Sequence, residues 1–300
     1  MMRIIDKAKR AIFIVFPRLF RSICHILDIN SIAVNVFFEE EQDGTLKHKN
    51  WGDDLNLYLL PLITNRHVYA ANKSLLHNRF ALKNYSCIGS IIGFYENCKT
   101  EIWGSGVVCN DIVLNCKPKK VHSVRGKYTR DFLLSNGIDC PEIYGDPALL
   151  ISRYYKAVPI GRFKLGIIPH YNDLNNVFIK EFISVNKDVL LINLTNYEKW
   201  SDICDQIVSC DCIISSSLHG IIVSDSYGIP NVWVKFSNKV YGGNFKFVDY
   251  FSSVNRIEEE PIVVVKQEDL YDLKEKAINN RSVVDIDYDM ILKSCPFKQF

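Results

Sequence analysis

The 300-residue chain carries no strong charge of either sign: 36 Lys and Arg stand against 34 Asp and Glu, a formal net charge of +2. That balance excludes a partner held by charge over the whole surface, nucleic acid above all. The apolar run from Ala11 to Phe16 is cut by Pro17 and falls far short of the ~20 residues a membrane span requires. No small-residue cleavage site follows it, which makes a secretory signal its weakest reading. The ten cysteines include no C-x-x-C pair. Neither His170 nor His219 has a cysteine at a metal-ligand interval, so no metal is expected. A complete dinucleotide fingerprint, low-complexity stretches and solenoid-length repeats are also absent.

What is present is an ordinary globular composition, 48% apolar and 23% charged, in a chain long enough for one large or two medium domains. Cys87, Cys109, Cys210 and Cys212 sit in apolar runs and read as small buried hydrophobes of a reducing, cytoplasmic compartment. Residues 1–30 form a basic amphipathic segment, with Lys7, Lys9 and Arg10 before the apolar run and Arg18 and Arg21 after it. Two readings of that segment stay open: a first helix packed on the domain, and a peripheral contact with the inner face of a membrane.

From Ser31 onward, short β-rich runs alternate with helical patterns. Strands are expected at 31–38, 85–88, 101–103 and 120–124, with helices over 52–63 and 127–136. After Pro159 the alternation restarts, with strands at 164–168, 189–194, into Ser215 and at 231–236. Helices are expected over 174–185, over 198–209, from Leu218, and over 267–280. Such alternation predicts an α/β fold of parallel sheets with helices on both faces. Two series imply two Rossmann-like domains, 31–155 and 160–300, facing a central cleft at the carboxyl ends of their strands.

Ser215-Ser216-Ser217-Leu218-His219-Gly220 is the most informative segment. A buried strand breaks into a polar turn and then a helix N-terminus, where unpaired amides and the macrodipole favour an anion. His219 adds a group able to titrate near neutrality. Four further islands fall where strands should end: Asn50-Trp51-Gly52-Asp53-Asp54, Trp103-Gly104-Ser105-Gly106, Ser123-Val124-Arg125-Gly126-Lys127 with Gly145-Asp146-Pro147, and Ile168-Pro169-His170-Tyr171. Singly, each has a structural explanation as a turn or a helix start. Arg125 is the hardest to dismiss, because an arginine beside glycine at a strand end is placed to fork onto a phosphate or carboxylate.

Taken in order, these islands resemble the pattern of the polysaccharide pyruvyl transferase family, with Lys246-Phe247-Val248-Asp249-Tyr250 as a late element. The resemblance spans roughly residues 50–250. It implies a fold like that of GT-B glycosyltransferases. It also implies transfer of pyruvate from phosphoenolpyruvate onto two hydroxyls of a sugar as a cyclic ketal, without metal, nucleotide or other cofactor. The acceptor would be a sugar or lipid-linked oligosaccharide of a capsule or exopolysaccharide pathway. On this basis His219 is expected as acid, His170 and Asp53 as bases or acceptor ligands, and Arg125 as phosphate clamp. Ser217, Leu218, His219 and Lys246 complete the donor site, and Trp51, Gly52, Asp53, Gly104, Ser105 and Gly106 the acceptor site. Some family members carry arginine where this chain has Ser217, so Lys246 or Lys235 is expected to supply the missing cation. Two other readings are a nucleotide-sugar glycosyltransferase of GT-B shape and a non-catalytic polysaccharide-binding protein.

Overall fold

The computed structural model describes residues 15–37, 50–279 and 284–297. The basic cluster Lys7, Lys9 and Arg10, with the apolar run as far as Ile14, lies outside the described residues. The described part of the N-terminal segment is a helix, Phe16–Leu27.

Among the described residues, ten strands form two parallel five-stranded sheets. The first holds β1 (Ile32–Val34), β2 (Val68–Ala70), β3 (Tyr85–Ser86), β4 (Glu101–Trp103) and β5 (Lys120–Ser123). The second holds β6 (Leu165–Ile168), β7 (Val189–Leu191), β8 (Ile213–Ser215), β9 (Asn231–Lys235) and β10 (Ile262–Val263). Their spatial orders are β2-β1-β3-β4-β5 and β7-β6-β8-β9-β10, which is the same doubly wound order twice. In that order the chain reverses direction between the first and third strands, and the crevice outside their carboxyl ends is where such sheets bind ligands. The arrangement is compatible with the Rossmann-like, GT-B-like fold expected.

Burial explains which sequence signals were strong. β1, β4, β6 and β8 are buried throughout, as strands covered on both faces must be, and their residues are apolar apart from Gly166 in β6 and the buried polar ends Glu101 of β4 and Ser215 of β8. β7 is an edge strand of intermediate exposure rather than a fully buried one, and it stops at Leu191. The helix expected from Leu174 starts at Val177, because the Asn176 side chain caps it, accepting from the amides of Phe178 at 2.9 Å and Ile179 at 3.4 Å. The strand Val68–Ala70 and the helices Leu75–Phe80 and Phe245–Ser253 were not anticipated. All three are too short or too mixed in polarity for periodicity to reveal them.

The two halves share one apolar core, in which Trp51, Leu55 and Trp103 of the first join Ile203, Ile221 and Trp233 of the second. The end of the chain returns to the first sheet. Trp103 Nε1 donates to the Ile291 carbonyl at 3.1 Å and to Ser294 Oγ at 3.0 Å, and Phe297 packs edge-on against Tyr85.

A buried ion pair locks the halves more specifically. Arg125, just past β5, and Asp249, in the Phe245–Ser253 helix, are both fully buried, with Nε donating to Oδ2 at 2.9 Å. Asp249 also accepts from the amide and hydroxyl of Thr129, each at 2.7 Å, and so caps the Lys127–Ser135 helix from the other half of the molecule. Gly126 makes room for this, since a Cβ there would collide with the Asp249 carbonyl. Removing one partner of such a pair strands the other charge in the core. Asp249→Ala is expected to lower stability by about 3–5 kcal/mol, read from urea unfolding. Arg125→Met with Asp249→Leu should recover much of that loss; equal or greater damage in the double variant would contradict this account.

Candidate active site

The carboxyl ends of the strands of both sheets converge on one cavity of about 200 Å³. Asn50 and Asp53 line it from the segment after β1, Ser90, Ile91 and Phe94 from the loop after β3, and Val108 from the loop after β4. The second half supplies His170 and Tyr171 after β6, Asn193 and Thr195 after β7, Ser217, Leu218 and His219 after β8, and Lys246 after β9. Each sheet thus contributes the loops flanking its own reversal point.

The serine run builds the wall. Ser215 Oγ donates to the Ser217 carbonyl at 2.8 Å and accepts from the Ser217 amide at 3.0 Å. Ser216 Oγ accepts from the His170 amide at 2.8 Å, tying the two loops together. Ser215 and Ser216 are buried scaffold; Ser217 alone of the three lines the cavity. At the N-cap of the Leu218–Ser226 helix, Ser217 makes no side-chain cap bond. The first-turn amides, which a helix cannot satisfy itself, are thereby left for an external acceptor.

His219 is the clearest sign of a site. It is buried, and its Nε2 has no hydrogen-bond partner, an arrangement that costs about 1–3 kcal/mol unless a ligand completes it. The ring packs on the backbone of Gly52, where a Cβ would overlap the imidazole. Burial, with Lys246 and Arg125 nearby, pushes its pKa down to about 3. His170 is likewise driven down to about 3 by burial and Lys246, and its Nδ1 accepts from the Asn172 amide at 3.3 Å. Asp53 moves the other way: burial first, then Asp54, raises its carboxyl well above the ordinary range. It accepts a hydrogen bond from Asn50 Nδ2 and sits against Gly89, whose positive φ of 108° leaves no room for a side chain. Burial and Arg125 lower Lys246 to about 8. Among the described residues that line the cavity, the shifts thus favour neutral imidazoles at His170 and His219, a weakened ammonium at Lys246 and the protonated form of Asp53.

Of the residues predicted from sequence, His170, Ser217, Leu218, His219, Lys246 and Asp53 meet at this cavity, with Gly52 directly behind His219. Arg125 does not line it, so the expected phosphate clamp is not what the structure presents. Its guanidinium is engaged by Asp249, by Ser90 Oγ through Nη1, and by the Val107 carbonyl at 2.7 Å through Nη2. Trp51 is core, donating to the Trp200 carbonyl at 2.7 Å. Gly104, Ser105 and Gly106 are support. Ser105 Oγ and the Gly106 amide both donate to the Gly89 carbonyl, at 2.7 and 3.1 Å, bracing the turn that seats Asp53. A Cβ on Gly106 would displace the Arg125 guanidinium. Lys235 does not line the cavity; among the described residues, Lys246 is the lysine that lines it together with Ser217. Sequence reasoning missed Ser90, Asn193, Thr195 and Tyr241; the position of Asn193 and Thr195 just past β7 was the one available signal.

These shifts carry a sign for stability. Both histidines titrate near 6.5 when unfolded and at about 3 when folded. Between those values the unfolded chain binds more protons, so their contribution is intact above pH ~6.5 and is lost as pH falls. Asp53 and Asp146, the latter raised to about 6 chiefly by burial, act in the opposite sense. The melting temperature of His219→Gln should consequently fall less than that of the wild type between pH 7.5 and pH 5. Parallel falls would mean that His219 takes up its proton at the same pH in the folded and unfolded states.

A family model described as polysaccharide pyruvyl transferase matches residues 103–238. That stretch takes in Arg125, His170 and the Ser217–His219 wall, and stops short of Asp53 on one side and Lys246 on the other. An uncharacterized protein of Acanthamoeba polyphaga mimivirus is 32% identical over 215 residues, covering 69% of this chain and 71% of that relative. The ordered strand-end motifs, the family match across the His219 wall and the extent of that likeness place the chain in the polysaccharide pyruvyl transferase family.

Proposed function

We propose that the cavity binds phosphoenolpyruvate and transfers its pyruvyl carbon to two hydroxyls of a sugar, releasing phosphate. The observation that carries this reading is the unpartnered, buried His219 Nε2 at an uncapped helix N-terminus, beside Lys246. A small polyanion supplies what those groups lack: acceptors for the Leu218 and His219 amides and a counter-charge for Lys246. The size of the cavity, about 200 Å³, lies below the ~300 Å³ at which pockets for drug-sized ligands begin, which supports a three-carbon donor over the much larger nucleotide sugar.

The chemistry needs one acid and two bases. C3 of the enolpyruvyl group must gain a proton, and C2 is attacked by the first hydroxyl. The C2–O bond to phosphate then breaks, and the second hydroxyl closes the ring. The two hydroxyl protons leave, one balancing the proton given to C3 and one departing with phosphate as its monohydrogen form. The shifted pKa values distribute these tasks differently from the sequence-based assignment. Asp53, whose burial favours the protonated form, serves as acid and His219 as base, while the departing phosphate takes the second hydroxyl proton. His170, whose Nδ1 accepts from the Asn172 amide, presents Nε2–H and orients an acceptor oxygen. Arg125 acts as a positioning residue through Ser90 and through the helix bearing Lys246.

In this scheme Asp53→Asn, which imitates the protonated resting state, keeps the thermal stabilisation by millimolar phosphoenolpyruvate while kcat falls by about 10²–10⁴. Lys246→Gln loses the stabilisation, and in the wild type it shrinks above pH 8 as Lys246 gives up its proton. Stabilisation by a nucleotide sugar alone would replace this reading with glycosyl transfer. Normal turnover by Asp53→Asn would remove Asp53 as acid.

We also propose that the protein works at an anionic membrane surface, where a lipid-linked acceptor would lie. No described helix is long and apolar enough to cross a membrane. The Phe16–Leu27 helix, however, leaves Phe16, Phe20, Ile23 and Leu27 exposed along one side, and Ile29 beyond it is 90% exposed. Residues 1–30 carry six Lys and Arg against two Asp, in a chain whose net charge is only +2. An apolar face with basic flanks suits anionic lipid headgroups. Phe20→Asp with Leu27→Asp should reduce cosedimentation with phosphatidylglycerol vesicles at least tenfold. Equal binding to neutral vesicles, or no effect of the double variant, would refute it.

A further inference from the structure

The cavity grades from a polar floor to an aromatic rim. Its catalytic candidates are inside: Asp53, Leu218 and His219 are all buried. The aromatic side chains that line it stand outward, with Tyr241 63%, Tyr171 37% and Phe94 36% exposed. Phe37 joins them, its ring centroid 6.3 Å from that of Phe94. Large exposed aromatics gathered around one opening are costly to leave in water and mark a binding surface.

Space leaves the acceptor one place to go. A cavity of about 200 Å³ is below the range that encloses a single drug-sized ligand, about 300–1,000 Å³, so a donor on the floor leaves too little room to enclose a sugar beside it. A second substrate has to sit across the opening, with only its reacting edge directed inward. We infer that Tyr241 and Tyr171 on one side and Phe94 and Phe37 on the other form the acceptor subsite, and that its ligand is a pyranose presenting its C–H face to these rings. This rests on the donor reading above. It replaces the acceptor site expected at Trp51 and the Gly104–Gly106 loop, which the fold buries as core and support.

Three details fit a sugar. The polarised C–H bonds of a pyranose face complement the negative face of an aromatic ring, while the equatorial hydroxyls stay free for polar partners. Asn193, on the same wall, has its Oδ1 occupied by the amide and hydroxyl of Thr195, at 2.9 and 2.8 Å, which turns its amide donors toward other acceptors. His170 lies against Tyr171, ring centroids 4.1 Å apart, so a sugar stacked on Tyr171 brings a hydroxyl oxygen within reach of the His170 imidazole. The backbone holds Tyr241 at the rim. Gly242 and Gly243 follow it with φ of 78° and 55°, and Gly242 approaches the Val108 carbonyl of the opposite half too closely for a side chain.

The test separates the rim from the floor. Saturation-transfer NMR with methyl β-galactopyranoside, methyl β-glucopyranoside and methyl α-mannopyranoside, in the presence of phosphoenolpyruvate, reads contact between aromatic protons and sugar ring protons. Transfer to the ring C–H protons of at least one glycoside is expected in the wild type. Tyr241→Ala and Phe94→Ala should reduce it at least fivefold, and Tyr241→Phe should keep it. Stabilisation by phosphoenolpyruvate should be unchanged in all three, because the rim does not touch the donor. No transfer from any glycoside, or transfer indifferent to both alanine variants, overturns the subsite while leaving the donor reading intact. Loss of transfer in Tyr241→Phe equal to that in Tyr241→Ala would overturn stacking in favour of a hydroxyl contact. Absence of stabilisation by phosphoenolpyruvate in the wild type would instead sink the donor reading.

Discussion

The buried pair between Arg125 and Asp249 is the constraint on which the site depends. Both groups are fully buried, so neither can change partner without a large desolvation penalty. Through it the Phe245–Ser253 helix of the second half is pinned to the strand-end turn of the first. That helix carries Lys246 into the cavity three residues before Asp249, one helical turn away. The same guanidinium holds Ser90 on the cavity wall, and the same carboxylate caps the Lys127–Ser135 helix. The Lys246 ammonium and the first-half wall are thus set by a single interaction that never faces the solvent-filled space.

The environment of the cavity sets the charge of the groups that line it. Desolvation and the nearby Lys246 push the His170 and His219 imidazoles down to about 3, and burial beside Asp54 raises the Asp53 carboxyl well above its ordinary range. A lysine is weakened for the same reason. With the unpartnered Nε2 of His219 and the uncapped start of its helix, these are polar groups held in place at a cost in stability. An anion relieves that cost, and pre-organisation of this kind is what lets a site act on developing charge without rearranging.

Much of this was legible along the chain, for reasons that differ by residue. His170, Ser217, Leu218 and His219 follow directly on buried parallel strands, and the geometry of such sheets sends strand ends to a common crevice. The glycines of the Gly104–Gly106 loop were misleading for the opposite reason. A glycine that admits a ligand and one that admits a neighbouring guanidinium look the same in sequence, and here the neighbour is Arg125. Arg125 itself was marked as important by its place after β5, yet its partner lies 124 residues away and no local pattern announces the pairing. Trp51 likewise carries its weight in the shared core rather than against a ligand.

The sequence by itself determined the α/β class, most of the strands and helices, and the wall containing His219, because local periodicity, glycine turns and helix starts are properties of a few adjacent residues. Only the tertiary structure decided which charged and aromatic side chains reach the cavity and which turn inward to hold it. That choice depends on contacts between the two halves, where burial sets both the partner of each ionisable group and the proton it carries.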